Sequence, residues 1–257
     1  MCFDLDSAPP IPPISGAAVS HDDLVLEAAD GNRFAAFAAS PDDGARVGIV
    51  ILPDVRGLYR FYEELALRFA ERGYAAVAFD YFGRTAGAGK RDDDFEYMPH
   101  VQQTTPEGVQ ADVAACVGHL RASGREAIFT VGFCFGGRHS WLAAASGHGL
   151  SGAVGFYGRP GPGTDGVPGP TERAGEFEAP ILALMGGADA GIPLEEVERF
   201  DRALKLHDVG GDVIVYGDAP HSFFDRKQEE YAADSEDAWS RVLQFIEERS
   251  DPDWDVK

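Results

Sequence analysis

The stretch TVGFCFGGRHS, residues 130–140, passes from an apolar, strand-like segment into a helical one, and a single cysteine stands between glycines at the junction. Gly132, Cys134 and Gly136 make the pattern G-x-C-x-G. A residue held on a sharp strand-to-helix turn draws the two backbones together, so the positions two before and two after it have no room for side chains. The glycines follow from that geometry, and the cysteine is presented at the head of the helix. A pattern this short also arises by chance, and free cysteines are usually buried small hydrophobes, so the surroundings decide its weight.

Upstream, VGIVIL (47–52) is continuous and β-branched rather than alternating, as a strand buried on both faces should be. FYEELALRFAERG (61–73) reads as a helix that stops at Gly73, and YAAVAFD (74–80) as the next buried strand. A polar stretch from Tyr81 to about Thr105 precedes a helix in PEGVQADVAACVGHLRAS, with Pro106 in its first turn. Before all of these, DLVLEA and RFAAFAAS flank ADGN, which predicts an antiparallel hairpin at a sheet edge.

Downstream, GGRHSWLAAAS continues as helix and LSGAVGFYG as strand. The glycines and prolines of residues 158–178 exclude regular structure and suggest a functional rim. APILALMGG is a strand, PLEEVERFDRALKLHDVG a helix, DVIVYGDA a strand and SEDAWSRVLQFIEER a closing amphipathic helix. No repeat and no linker divides the chain. We expect one α/β domain over residues 20–250, after a proline-rich arm (1–19) and before an acidic tail (251–257). Its sheet should be mostly parallel and twisted, covered by helices on both faces, with the N-terminal hairpin at its edge. In such sheets ligands bind at the carboxyl ends of strands.

The chain has 257 residues, enough for a well-buried core, and a formal net charge of -21 that argues against nucleic acids and anionic membranes as partners. Cys2, Cys116 and Cys134 form no C-x-x-C pair and have no metal-ligand spacing, which fits a reducing compartment and no metal. The amino terminus lacks a basic start and an apolar core, and no apolar run approaches ~20 residues, so a soluble, cytoplasmic protein is expected.

Three strand ends carry reactive groups in the order nucleophile, acid, histidine: Cys134, Asp189 in MGGADAGIP and His221 in GDAPHSFF. Singly, each has an ordinary reading as core packing, turn former or loop histidine; together they point to catalysis. The histidine would deprotonate the thiol for attack on a carbonyl carbon, and water would hydrolyse the thioester. The oxyanion donors expected are the backbone N–H groups of Phe135 and Val55. Cys116 reads as core, and Cys2, in the arm, as open to incidental oxidation.

PDVRGL, YAAVAFDYFGR, VGFCFGG, AVGFYG, GGADAGIP and APHSFF together resemble the dienelactone hydrolase family over roughly residues 20–248. The resemblance implies an α/β-hydrolase fold without a large cap, no cofactor, and a small ester or lactone as substrate. It also implies that Asp54 stands where the family has an acidic residue that keeps the resting cysteine protonated; an ordinary loop carboxylate is the alternative. Tyr97 and Ser222 fall at substrate-contacting places, while Asp93 and Asp225 replace arginines. Arg84, Arg91 and Arg226 are the expected compensating cations. Two other functions remain open: a non-catalytic small-molecule binder on the same scaffold, and a redox centre, for which Cys116 is the available partner.

Overall fold

The computed structural model describes residues 7–163 and 166–250. Cys2 and the acidic tail lie outside the described residues. Eight strands form one sheet in the order β1-β2-β4-β3-β5-β6-β7-β8. The hairpin β1 (Val19–Glu27) and β2 (Arg33–Pro41) pairs antiparallel with Glu27 opposite Arg33, and β2 pairs antiparallel with β4 (Ala75–Phe79). From β4 through β3 (Val47–Leu52), β5 (Ala127–Phe133), β6 (Gly152–Phe156), β7 (Ile181–Gly186) and β8 (Gly211–Tyr216) all pairs are parallel. The expected mostly parallel sheet with an antiparallel edge is therefore the fold.

The helices are α1 (Arg60–Ala70), α2 (Gly83–Ala86), α3 (Met98–Val101), α4 (Pro106–Ala122), α5 (Phe135–Ala143), α6 (Leu194–Leu206) and α7 (Ala232–Arg249). Alternate residues of each central strand face opposite layers. Ile49 and Ile51 join Phe61, Leu65 and Phe69 of α1 and Val242 and Phe245 of α7, while Val50 and Leu52 join Val113 and Val117 of α4. Trp141 of α5 and Phe200 of α6 extend that second layer over β6 and β7. This two-sided burial explains the unbroken apolar run of β3. Among the described residues, no helix is long and apolar enough to cross a membrane.

Two details differ from the sequence reading. The arm is not separate from the domain over its described part, because Ile11 is 4% exposed and belongs to the α1–α7 core. Gln228 Nε2 donates to the Ala8 carbonyl (2.7 Å), and the Ile14 N–H donates to Glu71 (3.0 Å). The segment 158–178, expected to be irregular, contains a 3-10 turn at Ala174–Glu176. Arg138 of α5 pins it by donating to the Arg159 carbonyl (3.0 Å) and the Gly161 carbonyl.

Chain order reverses across the sheet between β3 and β5: β4 lies to one side of β3, and β5 to the other. A crevice opens at the carboxyl ends of strands at such a point. The loop carrying Asp54 and Val55 leaves one side, and Cys134 the other.

Candidate active site

β5 ends at Phe133 and α5 begins at Phe135, so Cys134 alone makes the turn, with φ 55° and ψ −111°. This conformation costs a side-chain-bearing residue about 1–3 kcal/mol and persists only where the surroundings impose it. The Cys134 N–H donates to the Phe156 carbonyl (3.0 Å), and its own carbonyl accepts from the Arg138 N–H (3.2 Å). A Cβ at Gly132 would overlap the Gly136 carbonyl, and one at Gly136 would overlap the carbonyls of Leu52 and Pro53. Both glycines are thus required by backbone contact, as the sequence pattern implied. Cys134 is half-buried, whereas Cys116 is sealed in α4 and burial pushes its thiol well up.

Asp189 follows β7, and its side chain is 3% exposed. One carboxylate oxygen accepts the Gly191 N–H (2.8 Å), which fixes the turn; the other lies 2.6 Å from His221 Nδ1. A carboxylate on Nδ1 sets the tautomer that leaves Nε2 as the basic nitrogen. The His221 ring packs on Tyr157, centroids 4.7 Å apart, while the residue before Tyr157 accepts the Cys134 N–H. Cys134 and His221 therefore flank the end of β6.

The close approach at Gly136 lays the head of α5 against the end of β3, so the Phe135 and Val55 amides stand on adjoining segments. Neither N–H has a hydrogen-bond partner among the described residues. The Val55 loop is held by its neighbours. The Asp54 N–H donates to Tyr62 Oη (2.8 Å), Tyr81 Oη donates to the Pro53 carbonyl (2.7 Å), and the Leu58 N–H donates to Asp80 (3.3 Å). Burial first, then Asp54 and Cys134, hold the Tyr81 phenol well above its usual range, so it stays a donor.

Asp54 is fully buried. Its Oδ1 accepts the Arg56 N–H (2.8 Å), and its Oδ2 accepts Arg56 Nε (3.4 Å) and an Arg56 terminal nitrogen (3.2 Å). The carboxylate expected beside the thiol is thus paired with a buried arginine two residues on, a partner the sequence reading missed. Its signal was local: an Asx-type turn in PDVRG. Asp225 is likewise buried. Burial pushes its carboxyl up to about 7, against the pull of the Tyr157 hydroxyl and the Arg226 N–H; nearby Asp54 raises it further and His221 lowers it.

Arg84 and Arg91, expected to compensate for missing arginines, are committed within the fold. Arg84 bridges Asp30 (2.8 Å) and Asp112 (2.6 Å), which ties the hairpin turn to α4. Arg91 pairs with buried Asp80 (2.8 Å) and donates to the Ala86 and Gly87 carbonyls. Each guanidinium is thus already paired, Arg84 with two carboxylates and Arg91 with one. Arg226 is exposed at the rim, and Asp93 is exposed and acts on buried Tyr59. Tyr97 is half-buried against the α4 layer, and Ser222 is buried in a left-handed conformation, φ 66°, with its Oγ unpartnered among the described residues. Tyr157, which the sequence reading did not single out, was findable: it closes a parallel strand at its carboxyl end. Among the described residues no group of His, Cys, Asp and Glu is arranged to hold a metal ion.

A strained cysteine at a strand-to-helix turn after β5, with an Asp–His pair after β7 and β8 on the same edge of the sheet, narrows the possible families, and the model of the dienelactone hydrolase family matches residues 34–250. The chain belongs to the dienelactone hydrolase family. The "Putative carboxymethylenebutenolidase" of Escherichia coli K12 is 29% identical over 255 residues, covering 94% of each chain. The carboxymethylenebutenolidase of Rhodococcus opacus is 28% identical over 258 residues, 96% of each. Among solved structures, the "Putative Dienelactone Hydrolase" of Klebsiella pneumoniae superposes with a TM-score of 0.78 at 26% identity, over 90% of this chain and 99% of that one. The α/β-hydrolase fold is shared with these relatives, and this family member is a hydrolase.

Proposed function

We propose that this protein hydrolyses a small ester or lactone, in the manner of a carboxymethylenebutenolidase, through a thioester on Cys134. The observation that carries the reading is the strained Cys134 at the head of α5, across the end of β6 from a histidine whose Nδ1 is 2.6 Å from a buried aspartate. His221 Nε2 takes the thiol proton as the sulfur attacks the carbonyl carbon. The Val55 and Phe135 N–H groups receive the oxyanion. Collapse of the tetrahedral adduct breaks the C–O bond, and the leaving alkoxide takes the proton from His221. Water, deprotonated by His221, then attacks the thioester; the acid departs and the thiol is restored. Asp189 holds the ring and supports the imidazolium throughout.

The substrate proposed is uncharged near its acyl group. Arg84 and Arg91 are neutralised by carboxylates, Arg56 is paired with Asp54, and Asp225 adds a further acid beside His221. The net charge of -21 gives no steering of anions toward the site. Tyr97, Ser222 and exposed Arg226 remain the residues proposed to contact substrate. The test is to mix the protein with an activated ester and look by intact-mass spectrometry for an acyl adduct on Cys134. Hydrolysis without an adduct, and undiminished in Cys134→Ala, would remove the mechanism. A matched pair of lactones, with and without a free carboxylate, tests the substrate class; a strong preference for the anion would contradict it.

A further inference from the structure

Asp225 lies four residues beyond His221 and is 1% exposed. The turn between them is closed by the Asp225 N–H (3.2 Å) and the Lys227 N–H (3.0 Å), both donating to the Ser222 carbonyl, with Ser222 itself left-handed. The Asp225 Oδ2 accepts the Tyr157 hydroxyl at 2.6 Å, and Oδ1 accepts the Arg226 N–H. Tyr157 is constrained as well: its φ is 37°, and its N–H donates to the Leu184 carbonyl (2.9 Å) on β7. Its ring packs on the imidazole at 4.7 Å with 54° between the planes, and on Phe223 at 5.7 Å.

The Asp189 bond holds His221 at Nδ1, and the Tyr157 ring holds one face of the imidazole. We infer that Tyr157 and Asp225 are a positioning pair for His221: their hydrogen bond holds the tyrosine ring as a wall against the imidazole and ties the histidine loop to β6, so that Nε2 is aimed at Cys134. The inference rests on the triad reading above. It accounts for a carboxyl kept in a buried, desolvated place among Asp54 with its partner Arg56, His221 and the Arg226 backbone. Either protonation state of Asp225 can hold the Tyr157 hydroxyl, so the hydrogen bond rather than the charge is the working part.

The test uses the full chain with Cys2→Ser and Cys116→Ala, so that one thiol reports. Hydrolysis of p-nitrophenyl acetate and alkylation of Cys134 by iodoacetamide are measured in Tyr157→Phe, Asp225→Leu, Asp225→Asn and His221→Asn, below each variant's unfolding temperature. Tyr157→Phe keeps the ring but loses the hydroxyl, and Asp225→Leu loses the acceptor; each should lower kcat by about 10- to 100-fold with KM nearly unchanged, the effect of a small misplacement of a catalytic group. The double variant should be no worse than the worse single one, because both break one bond. Asp225→Asn retains an acceptor oxygen and should recover kcat to within a few-fold. Full kcat in Tyr157→Phe, or equal losses in the Asn and Leu variants, would overturn the pair. Should Asp225→Leu fail to fold, Tyr157→Phe decides. Failure of the triad reading looks different: His221→Asn would then leave hydrolysis and Cys134 alkylation unchanged, and the pair would fall with it.

Discussion

Cys134 and Cys116 carry the same functional group in opposite settings, and the pair makes the sharpest test of the nucleophile. Cys134→Ala should abolish hydrolysis with the fold intact. Cys116→Ala, in a sealed site, should keep full activity at a stability cost of roughly 1–2 kcal/mol for lost packing. Equal losses in steady-state assays of the two would contradict the assignment. His221→Ala should cost several orders of magnitude in kcat, and Asp189→Asn less if water orients the ring. A carboxylate near a thiol opposes the thiolate, and removing Asp54 would also release the Arg56 guanidinium paired with it. In a chain whose only thiol is Cys134, Asp54→Ala should therefore speed iodoacetamide alkylation several-fold without substrate; an unchanged rate would make Asp54 a structural turn residue. The strand ends that carry Cys134, Asp189 and His221 were legible because chain order and the alternation of strands and helices single them out. The commitments of Arg84, Arg91 and Arg56 were not, because they depend on which carboxylate the tertiary fold places beside each guanidinium.

Elements were readable where a single force dominates. The all-apolar β3 and the hairpin register follow from burial on both faces and from a tight Asp30–Gly31 turn. The docking of Ile11 and the short helices within residues 83–101 escaped notice, since they rest on contacts with distant segments rather than on periodicity. Two helical glycines show how context decides an element's chemistry. Gly136 in α5 meets the Leu52 and Pro53 carbonyls, so Gly136→Ala must push the helix off β3. It should cost about 3 kcal/mol or more and disrupt the oxyanion donors together with the elbow, which thermal unfolding and kcat would both register. Gly118 in α4 is exposed, and a methyl group there meets nothing within 4 Å. Gly118→Ala should instead stabilise by about 0.5–1 kcal/mol through helix propensity, with kcat unchanged. A thermal midpoint that fell in Gly118→Ala would contradict the packing of α4.

For the molecule as a whole, surface repulsion and buried titrating groups make stability depend on pH, and among the buried groups Asp225 and His139, whose imidazole burial pushes down to about 3, act in opposite directions. The net charge of -21 opposes compaction, and protonating surface carboxylates relieves it; this repulsion acts across solvent and is screened beyond roughly 10 Å at 0.1 M ionic strength. Asp225 is different, because burial rather than surface repulsion is the main reason its carboxyl stands at about 7 instead of 3.8. The folded state thus binds its proton more tightly than the unfolded chain does. Stability from this group is complete below about pH 4, falls as pH rises toward 7, and stays lower above that; the shift corresponds to about 4 kcal/mol. His139 and the surface carboxylates are common to wild type and Asp225→Asn, so the stability difference between the two proteins in denaturant unfolding at about 0.5 M KCl should fall from about pH 5 to 7.5. That difference belongs to the buried carboxyl. Asp225→Asn cannot ionise and should lose that falling contribution while keeping the salt-sensitive part and the rising contribution of His139. If the variant keeps the wild-type slope in high salt, Asp225 is not the group whose titration lowers stability as pH rises.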